Sequence, residues 1–471
     1  MSEKLQSVHV RINDAATGKP TPVRVRFTDE AGTYFAPLGR LSQFSEARGF
    51  DADGNTRIEG EAWAFVDGSF EILLTPGRFR VQVAKGPEYR PLDEWMTVQA
   101  GRLSMRLTIE RIIDMHAIGF LSVDIAAFNR SPHSAYLEMA CEDLSVANLL
   151  VAETKIGDVS YLPNICAFTG QDLLLAVERH GIFVNTHNQS DLGNLHLLNS
   201  HRVVYPLSFR ISTDSWILED WCDQCHRKKG LVVADDWAER LTGAEPDELL
   251  AEIVRGKIDV LHAPTWDELP HWYELLNAGL RIPIAAGSRK DANRGALGSP
   301  RTYVAVNEKH LGSWIEPMRE GRSFVTNGAI LVASFSEFES GDAIPAARTS
   351  ELRFACIPTS NVPIGEIEVV VNGQVTFRQS EGKSIPPTGG LGDSGWIAAR
   401  CRSSDGRHWA HTNPVYFEGD NGRERAEARA RLSAKIERTL TWAREPGNVA
   451  DDRAREHLIQ VHLEAKNLLR N

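Results

Sequence analysis

The sequence predicts a multidomain protein of the α/β plus β class, and three patterns lead to this prediction. Residues 1–112 alternate apolar and polar side chains in short runs, with the period of two that β-strands show. Residues 113–330 alternate apolar runs with helical stretches, which is typical of repeated βα units. Residues 331–420 return to strand-like alternation, and residues 421–471 carry apolar side chains at helical spacing. A chain of 471 residues is long enough for roughly three domains.

Composition and charge exclude some classes of partner and indicate where in the cell the protein is expected. Lys and Arg number 52 against 63 Asp and Glu, and the net charge of −11 argues against nucleic acid or a membrane surface as partner. No apolar run approaches the roughly 18 residues that cross a membrane. The N-terminus lacks the apolar core of a signal peptide, and six cysteines in so long a chain do not form a disulfide scaffold. We therefore expect a cytoplasmic protein.

The first region, 1–112, is expected to fold as a small β-sandwich. Apolar and polar side chains alternate in four runs, at 8–12, 23–27, 79–83 and 103–109. Short strands at such intervals are typical of two packed sheets. The Thr-Pro-Gly-Arg run at 75–78 separates two apolar runs and predicts a tight turn. We assign this region a structural or docking role.

The central region, 113–330, predicts strands joined by helices. The strand candidates are 120–125, 181–186, 231–235, 260–262 and 282–286, and the helix candidates are 135–150, 171–179, 217–229 and 246–255. In barrels built from βα units, functional residues lie at the carboxyl ends of the strands. The side chains that follow each strand are therefore the first candidates for a site.

The last two regions predict a second β-layer and a helical hairpin. Strand candidates lie at 352–357, 367–371, 396–401 and 414–417, and the Gly-, Pro- and Ser-rich segment 381–394 predicts a surface loop. After 421, two apolar helical faces flank a Glu-Pro-Gly break at 445–447; they consist of Leu432, Ile436, Leu440 and Ala443, and of Leu458, Val461, Ala465 and Leu468. These faces either pack on the rest of the chain or form a homo-oligomer.

One motif has a more ordinary interpretation than its pattern suggests. Cys222, Cys225 and His226 form a Cys-x-x-Cys-His run, the pattern of c-type haem attachment. Such attachment takes place outside the cytoplasm, and the run lies within a predicted helix, beside Trp216, Ile217, Leu218 and Trp221. We therefore interpret it as helix packing.

Several stretches resemble one family. They are 119–152, which includes Cys-Glu-Asp-Leu at 141–144, Trp-Tyr-Glu-Leu-Leu-Asn-Ala-Gly-Leu-Arg-Ile-Pro at 272–283, and Arg-Glu-Gly-Arg-Ser-Phe-Val-Thr-Asn-Gly at 319–328. These runs are similar to those of the PHP-like metal-dependent hydrolases, in the carbaryl-hydrolase-like (CehA/McbA-like) branch. The resemblance implies a regulatory-like β-sandwich over 1–112, a distorted (β/α)7 barrel over 113–330 and a β-rich segment over 331–420. The helical hairpin of 421–471 completes the expected architecture.

The same resemblance implies a metal site in which the usual histidines are largely replaced. Relatives carry a His-x-His pair at the end of the first barrel strand, and Ser122 and Asp124 occupy those two places here. Residues i and i+2 of a strand point to the same side, so such a pair can hold one ion. Asn194 occupies a further histidine place, and His196 follows it on the same strand face. Asp236 occupies another, where it can bind a cation or cap the next helix.

Two sets of candidate residues result. A rebuilt ligand set for a Zn, Mn or Mg ion consists of Asp124, Glu142, His196, Asp236 and His262. A ligand pocket is expected to consist of Ser122, Phe128, Asp235, Ser288 and Arg289. Arg289 would repel a cation at close range and is suited to a carboxylate or phosphate. Single histidines in such positions, including His187 beside His196, also occur as ordinary core residues.

Two functions remain open at the level of sequence. In the first, which we favour, the barrel has lost its metal, and the protein is a non-catalytic homologue that binds an aromatic or anionic small molecule. In the alternative, the rebuilt ligand set serves a metal-dependent hydrolase of esters, carbamates or amides, in which the metal lowers the pKa of bound water. The sequence does not decide whether the chain is an enzyme or which metal it would use.

Overall fold

The computed structural model describes residues 5–47, 51–156, 159–345, 348, 354–380, 385–388, 395–418 and 422–470. The protein is a strand-rich α/β structure with several sheets and a C-terminal pair of helices. This confirms the predicted combination of α/β and β regions. Among the residues described, no helix is both long enough and apolar enough to cross a membrane.

The N-terminal region forms two sheets that share one apolar core. Its strands are β1 Gln6–Asp14, β2 Val23–Asp29, β3 Tyr34–Phe35, β4 Asn55–Ile58, β5 Glu61–Val66, β6 Ser69–Leu74, β7 Gly77–Ala84, β8 Tyr89–Arg90, β9 Leu92–Val98 and β10 Ser104–Arg111. One sheet has the order β6-β1-β10-β8 and the other β4-β5-β2-β7-β9. Val10 of β1 and Val25 of β2 are fully buried in the common core. The predicted sandwich is confirmed here, since alternate residues face the other sheet.

The central region consists of strands and short helices. The strands are β11 Phe120–Phe128, β12 Val146–Ala152, β13 Thr154–Ile156, β14 Val159–Tyr161, β15 Leu175–Val177, β16 His180–Ser190, β17 Gly193–Leu198, β18 Ser208–Phe209, β19 Leu231–Asp235, β20 Val260–His262, β21 Ile284–Ala285, β22 Lys290–Asp291, β23 Arg301–Ala305 and β24 Ser323–Thr326. The helices are α1 Pro132–Cys141, α2 Leu218–Arg227, α3 Trp237–Thr242, α4 Leu249–Val254, α5 Leu269–Asn277 and α6 Ile315–Arg319, with 3₁₀ turns at Ile165–Ala167 and Trp266–Glu268.

The pairing of these strands brings several carboxyl ends to one place. Strands β11, β12 and β16 are mutually parallel, and so are β19, β20 and β21. Strand β17 lies antiparallel between β16 and β19. The short strand β22 pairs parallel with the end of β11, so the chain returns to the first strand of this series.

Two of the four predicted central helices are confirmed, one is confirmed only in its first part, and one is wrong. Helices α2 and α4 match 217–229 and 246–255. The predicted helix 135–150 ends at Cys141, and β12 occupies Val146–Ala152. The predicted helix 171–179 contains β15 instead, which pairs with β16. Strand β12 lies between two parallel neighbours and is buried nearly throughout, so its apolar run lacks the alternation that would reveal a strand.

Part of the second β region continues the central sheet, and the rest forms a separate three-stranded sheet. Its strands are β25 Ile330–Phe335, β26 Ala343–Pro345, β27 Phe354–Thr359, β28 Ile364–Val371, β29 Gln374–Ser380, β30 Ile385–Thr388, β31 Trp396–Ser403, β32 Trp409–Thr412 and β33 Val415–Glu418. All four predicted strands are present. Strand β24 pairs with β32, which joins this region to the central one. Of the predicted loop 381–394, residues 381–384 and 389–394 lie outside the described residues, and 385–388 form β30.

The C-terminal helices, α7 Gly422–Arg444 and α8 Asp452–Arg470, pack against the rest of the chain. The predicted apolar residues of α7 and three of the four in α8 are buried in one core with α4 and α5. Leu468 is the exception, since it is 50% exposed and Leu469 takes the buried place. The hairpin therefore uses these two faces within its own chain, and a homo-oligomer stays a prediction.

The same helix offers a matched test of this packing. Leu458→Ala removes a fully buried side chain, and we expect it to lower the free energy of unfolding by about 2–5 kcal/mol. Leu468→Ala makes the same chemical change at a half-exposed position and should cost less than about 0.5 kcal/mol. Urea unfolding followed by circular dichroism measures both. Equal losses for the two variants would show that α8 does not pack as described.

Candidate functional site

Four strands bring three histidines and an aspartate together. His187 lies near the carboxyl end of β16, while Asp235 and His262 are the last residues of β19 and β20. Strand β17 adds His196, which is the direct cross-strand partner of His187. All four side chains are buried, and His196 and His262 have no exposed surface. The cluster therefore lies where functional residues of βα-repeat proteins are expected.

The four side chains are within contact distance of one another. The Nδ1 atoms of His187 and His196 are 2.9 Å apart, and Nε2 of His196 lies 3.3 Å from Nδ1 of His262. The Oδ1 atom of Asp235 is 2.8 Å from Nδ1 of His262 and 3.6 Å from Nε2 of His196. One carboxylate oxygen is thus hydrogen-bonded to one imidazole and lies close to a second.

The tautomer of His262 follows from its partners. Nε2 of His262 accepts the N–H of Gly287 at 3.1 Å, so Nδ1 carries the proton that it donates to Asp235. The indole N–H of Trp237 donates to the backbone carbonyl of His262 at 2.8 Å. Both ring nitrogens of His262 are therefore engaged, and the residue positions the Asp235 carboxylate.

Arg289 closes the cluster on its more open side. Its Nη2 group forms an ion pair with Asp235 and a second one, at 2.9 Å, with Oδ1 of Asp236. The other oxygen of Asp236 accepts the side-chain amide of Asn194 at 2.9 Å. The Arg289 side chain is 36% exposed, whereas that of Asp235 is only 6% exposed. An arginine that reaches solvent therefore covers a carboxylate that does not.

Phe128, the last residue of β11, packs against the histidine rings. Its ring meets those of His187 and His196 edge-on, with centroids 5.4 and 6.2 Å away. Phe128 thus packs its apolar ring against both imidazoles in the edge-to-face arrangement that aromatic rings prefer.

Burial and charge set the protonation states of the cluster. Desolvation lowers the pKa of His187 and lowers that of His196 well below its ordinary value. Burial alone would raise the pKa of Asp235, but the neighbouring histidines and Arg289 hold it well below its usual range. Neutral imidazoles beside an ionised carboxylate are the protonation states in which these groups bind metal.

Three of these residues fit a metal ion. His187, His196 and Asp235 each offer one ligand atom, and these atoms lie within 4.8 Å of one another. Two imidazoles and one carboxylate form a common donor set for catalytic zinc and related ions. In the arrangement described, Arg289 holds the same carboxylate, so a bound ion and this arginine would compete for Asp235.

The predicted residues separate into two groups. His196, His262, Asp236, Asp235, Phe128 and Arg289 lie at the cluster or in direct contact with it. Asp124, Glu142, Ser122 and Ser288 do not touch its imidazoles among the contacts described. The predicted ligand set is thus brought together only in part.

Asp124 has a different environment from the one expected of a ligand. Strand β11 continues to Phe128, so Asp124 lies in its middle and not at its end. Its carboxylate accepts the backbone N–H groups of Ala126, Ser288 and Gly298 at 3.0, 2.9 and 2.8 Å, and the Ser288 hydroxyl as well. Desolvation raises its pKa, which these donors partly offset. Through these four hydrogen bonds, Asp124 holds the loop that follows β21 in place.

Glu142 and Ser122 lie farther from the cluster. The carboxylate of Glu142 forms an ion pair with Arg24 of the N-terminal region, so it fastens that region to the end of α1. The hydroxyl of Ser122 lies 3.2 Å from that of Ser145 near the amino end of β12. Neither side chain is therefore placed to bind a metal ion at the strand ends.

Sequence reasoning did not select His187 as a ligand, although a signal was present. Residues 191 and 192 form the turn between β16 and β17, and His187 and His196 are equally distant from it. Cross-strand partners in a tight hairpin have this symmetry. Counting outward from the turn would have paired the two histidines.

The Cys-x-x-Cys-His run lies in α2, where both cysteines are fully buried in the core. Burial raises the pKa of the Cys222 thiol well above its ordinary value, which keeps it protonated. His226 pairs with Asp259 at 3.0 Å. The helix-packing interpretation agrees with this environment.

A large cavity opens next to the cluster. It has a volume of about 1000 Å³, and Gln189 and Asn194 form part of its wall. These two residues are cross-strand partners, two positions beyond His187 and His196 on the same face of the hairpin. The cavity wall is therefore continuous with the surface that carries the two histidines.

Comparison of the chain with protein-family models, curated proteins and solved structures finds no match.

The buried histidines predict how stability depends on pH. In chelator, we expect the free energy of unfolding to decrease as the pH falls below about 6.5, because the unfolded histidines take up protons while the folded ones stay neutral. His196→Asn should reduce this slope by up to about 1.4 kcal/mol per pH unit. His201→Asn makes the same change at an exposed position and is the matched control. Urea unfolding at pH 5, 6, 7 and 8 would contradict the assignment if the two variants had the same slope.

Proposed function

We propose that the central region is a PHP-like barrel of the carbaryl-hydrolase-like branch and that it binds one divalent transition metal through His187, His196 and Asp235. The observation that carries the proposal is the meeting of two neutral imidazoles and one ionised carboxylate at strand ends. Strands β11, β12, β16, β17, β19, β20 and β21 would form the barrel wall, and β22 would close it on β11. The cavity beside Asn194 would hold the substrate.

The reaction that this site supports best is hydrolysis of an ester, carbamate or amide. A metal held there would lower the pKa of bound water and polarise the substrate carbonyl. His262 would keep Asp235 oriented through its 2.8 Å hydrogen bond. Arg289, once released from Asp235, would stabilise negative charge that develops on the substrate oxygen.

A direct test combines metal analysis with activity. We expect the purified protein, stripped with chelator and titrated with Zn²⁺, Mn²⁺ or Mg²⁺, to bind one ion and to hydrolyse 4-nitrophenyl acetate or a naphthyl methylcarbamate. Mutation of a residue that hydrogen-bonds to a metal ligand weakens metal binding roughly 10–100-fold. His187→Asn removes a proposed ligand itself and should weaken binding by at least as much. His226→Asn, a histidine outside the cluster, should bind as wild type does.

Absence of stoichiometric metal in both isolated and titrated protein would reject the proposed site. Metal binding without hydrolysis of any of these substrates would reject the reaction but keep the site.

A second function is favoured by the ion pair between Arg289 and Asp235. If this pair is permanent, Asp235 is not available to a metal, and the protein is a non-catalytic binder of a small anionic molecule. The guanidinium of Arg289, part of which reaches solvent, would then bind a carboxylate or phosphate. This is the function that the replaced histidines of the family pattern suggest.

Arg289→Gln separates the two functions. If the site holds a metal, removing the competing guanidinium frees Asp235, and we expect metal affinity to rise by about tenfold or more. If the site holds an anion, the wild-type protein binds the anion and no metal, and the same change abolishes anion binding. Arg240→Gln, which changes an arginine in the wall of the neighbouring cavity, is the matched control. Isothermal titration with Zn²⁺ and with benzoate measures both outcomes.

A further inference from the structure

A second cavity lies where the N-terminal, central and second β regions meet. Its volume is about 510 Å³, within the range of small-molecule sites. Arg24 comes from the N-terminal region, Glu142 and Arg301 from the central region, and Asn361 and His408 from the second β region. The cavity is separate from the histidine cluster, whose residues do not line it.

Arg301 is the unusual residue of this cavity. It is only 1% exposed, and its Nε and Nη2 groups donate to the backbone carbonyls of Gly298 and Glu142 at 2.5 and 3.0 Å. Its Nη1 atom is buried, and no group among the described residues accepts a hydrogen bond from it. Within the described part of the chain, no carboxylate forms an ion pair with this guanidinium, although Glu88 is close enough to interact with it electrostatically. A buried charge with one unused donor is costly unless an anion compensates it.

The other charged groups of the cavity wall are already compensated. Arg24 forms an ion pair with Glu142, Arg57 pairs with Glu46 at 3.0 Å, and Arg407 lies 3.6 Å from Glu59. Among the described residues, nevertheless, no group accepts a hydrogen bond from the buried Nε of Arg24. Arg301 and Arg24, which both line the cavity, thus each keep one unused N–H donor.

Asn361 adds an acceptor to the same cavity. Its amide nitrogen donates to the backbone carbonyls of Pro87 and Tyr89, at 3.0 and 2.5 Å. These two bonds fix the orientation of the amide, and its buried oxygen accepts no hydrogen bond from any residue that the structure describes. A ligand that satisfies this oxygen must carry a hydroxyl or another hydrogen-bond donor.

Two glycines keep the cavity floor in shape. A Cβ on Gly86 would lie 2.2 Å from the carbonyl oxygen of Glu142, the one that Arg301 binds. A Cβ on Gly298 would lie 3.0 Å from Nη2 of Arg301. Both glycines have positive φ, so any side chain there would strain the backbone and displace the guanidinium.

We propose that this cavity binds a small hydroxylated organic anion, with its carboxylate or phosphate on Arg301 and Arg24 and its hydroxyl on Asn361. Apolar side chains such as Ile58 and Val362 complete the wall and contact the carbon skeleton. Since all three regions contribute to the wall, the bound anion would also hold them together.

Isothermal titration of the full chain tests this site with inorganic phosphate, glycerol 3-phosphate, malate and neutral glycerol. We expect glycerol 3-phosphate or malate to bind, and whichever binds identifies the anion as phosphate or carboxylate. Glycerol should not bind. Arg301→Gln should weaken binding about 10–100-fold, the usual worth of a hydrogen bond to a charged group. Arg57→Gln, which changes a compensated arginine of the same wall, should change affinity less than about twofold.

If Arg301→Gln does not fold, Asn361→Leu replaces it as the test. That variant should bind glycerol 3-phosphate no better than inorganic phosphate, because the acceptor for the hydroxyl is gone. The proposal is overturned if wild-type protein binds none of the three anions at millimolar concentration. It is also overturned if both Arg301→Gln and Asn361→Leu bind as wild type does.

Discussion

The buried carboxylate of Asp235 controls the arrangement of the candidate site. An ionised group with so little exposed surface is unstable unless nearby groups compensate it. His262 donates to it, His196 lies within 3.6 Å, and Arg289 forms an ion pair with it. These partners come from two strands and one loop, so a single charge aligns elements that are distant in sequence. A metal ion would compensate the same charge, and this is why Arg289 and a metal exclude each other at Asp235.

A second buried carboxylate keeps this arrangement in place. Asp124 accepts hydrogen bonds from both ends of the loop that carries Arg289, namely from Ser288 and from Gly298. Hydrogen bonds to a charged group contribute about 1.5–3 kcal/mol each. Gly287 allows this close approach, because a Cβ there would lie 2.7 Å from Asp124 and 2.6 Å from the backbone of Ala126. The same carboxylate thereby links the histidine site to the Gly298 edge of the second cavity.

Much of the fold could be predicted from the sequence, but only part of the site. The N-terminal strands and the C-terminal helices each bury one face, so the spacing of their apolar residues is visible in the sequence. Leu468 is the one residue of the helical faces that was wrongly predicted to be buried. Strand β12 is buried on both faces and has no period to detect. Asp235 and His262 could be found because they end strands. His187 needed the hairpin register, and the role of Glu142 depends on Arg24, which is distant in sequence.

The most direct measurement is a crystal structure of the protein grown with Zn²⁺, with anomalous scattering recorded on both sides of the zinc absorption edge. We predict one anomalous peak within coordinating distance of His187, His196 and Asp235, with the Arg289 guanidinium moved away from Asp235. A structure in which Arg289 remains on Asp235 and no peak lies beside the histidines would contradict the proposed metal site.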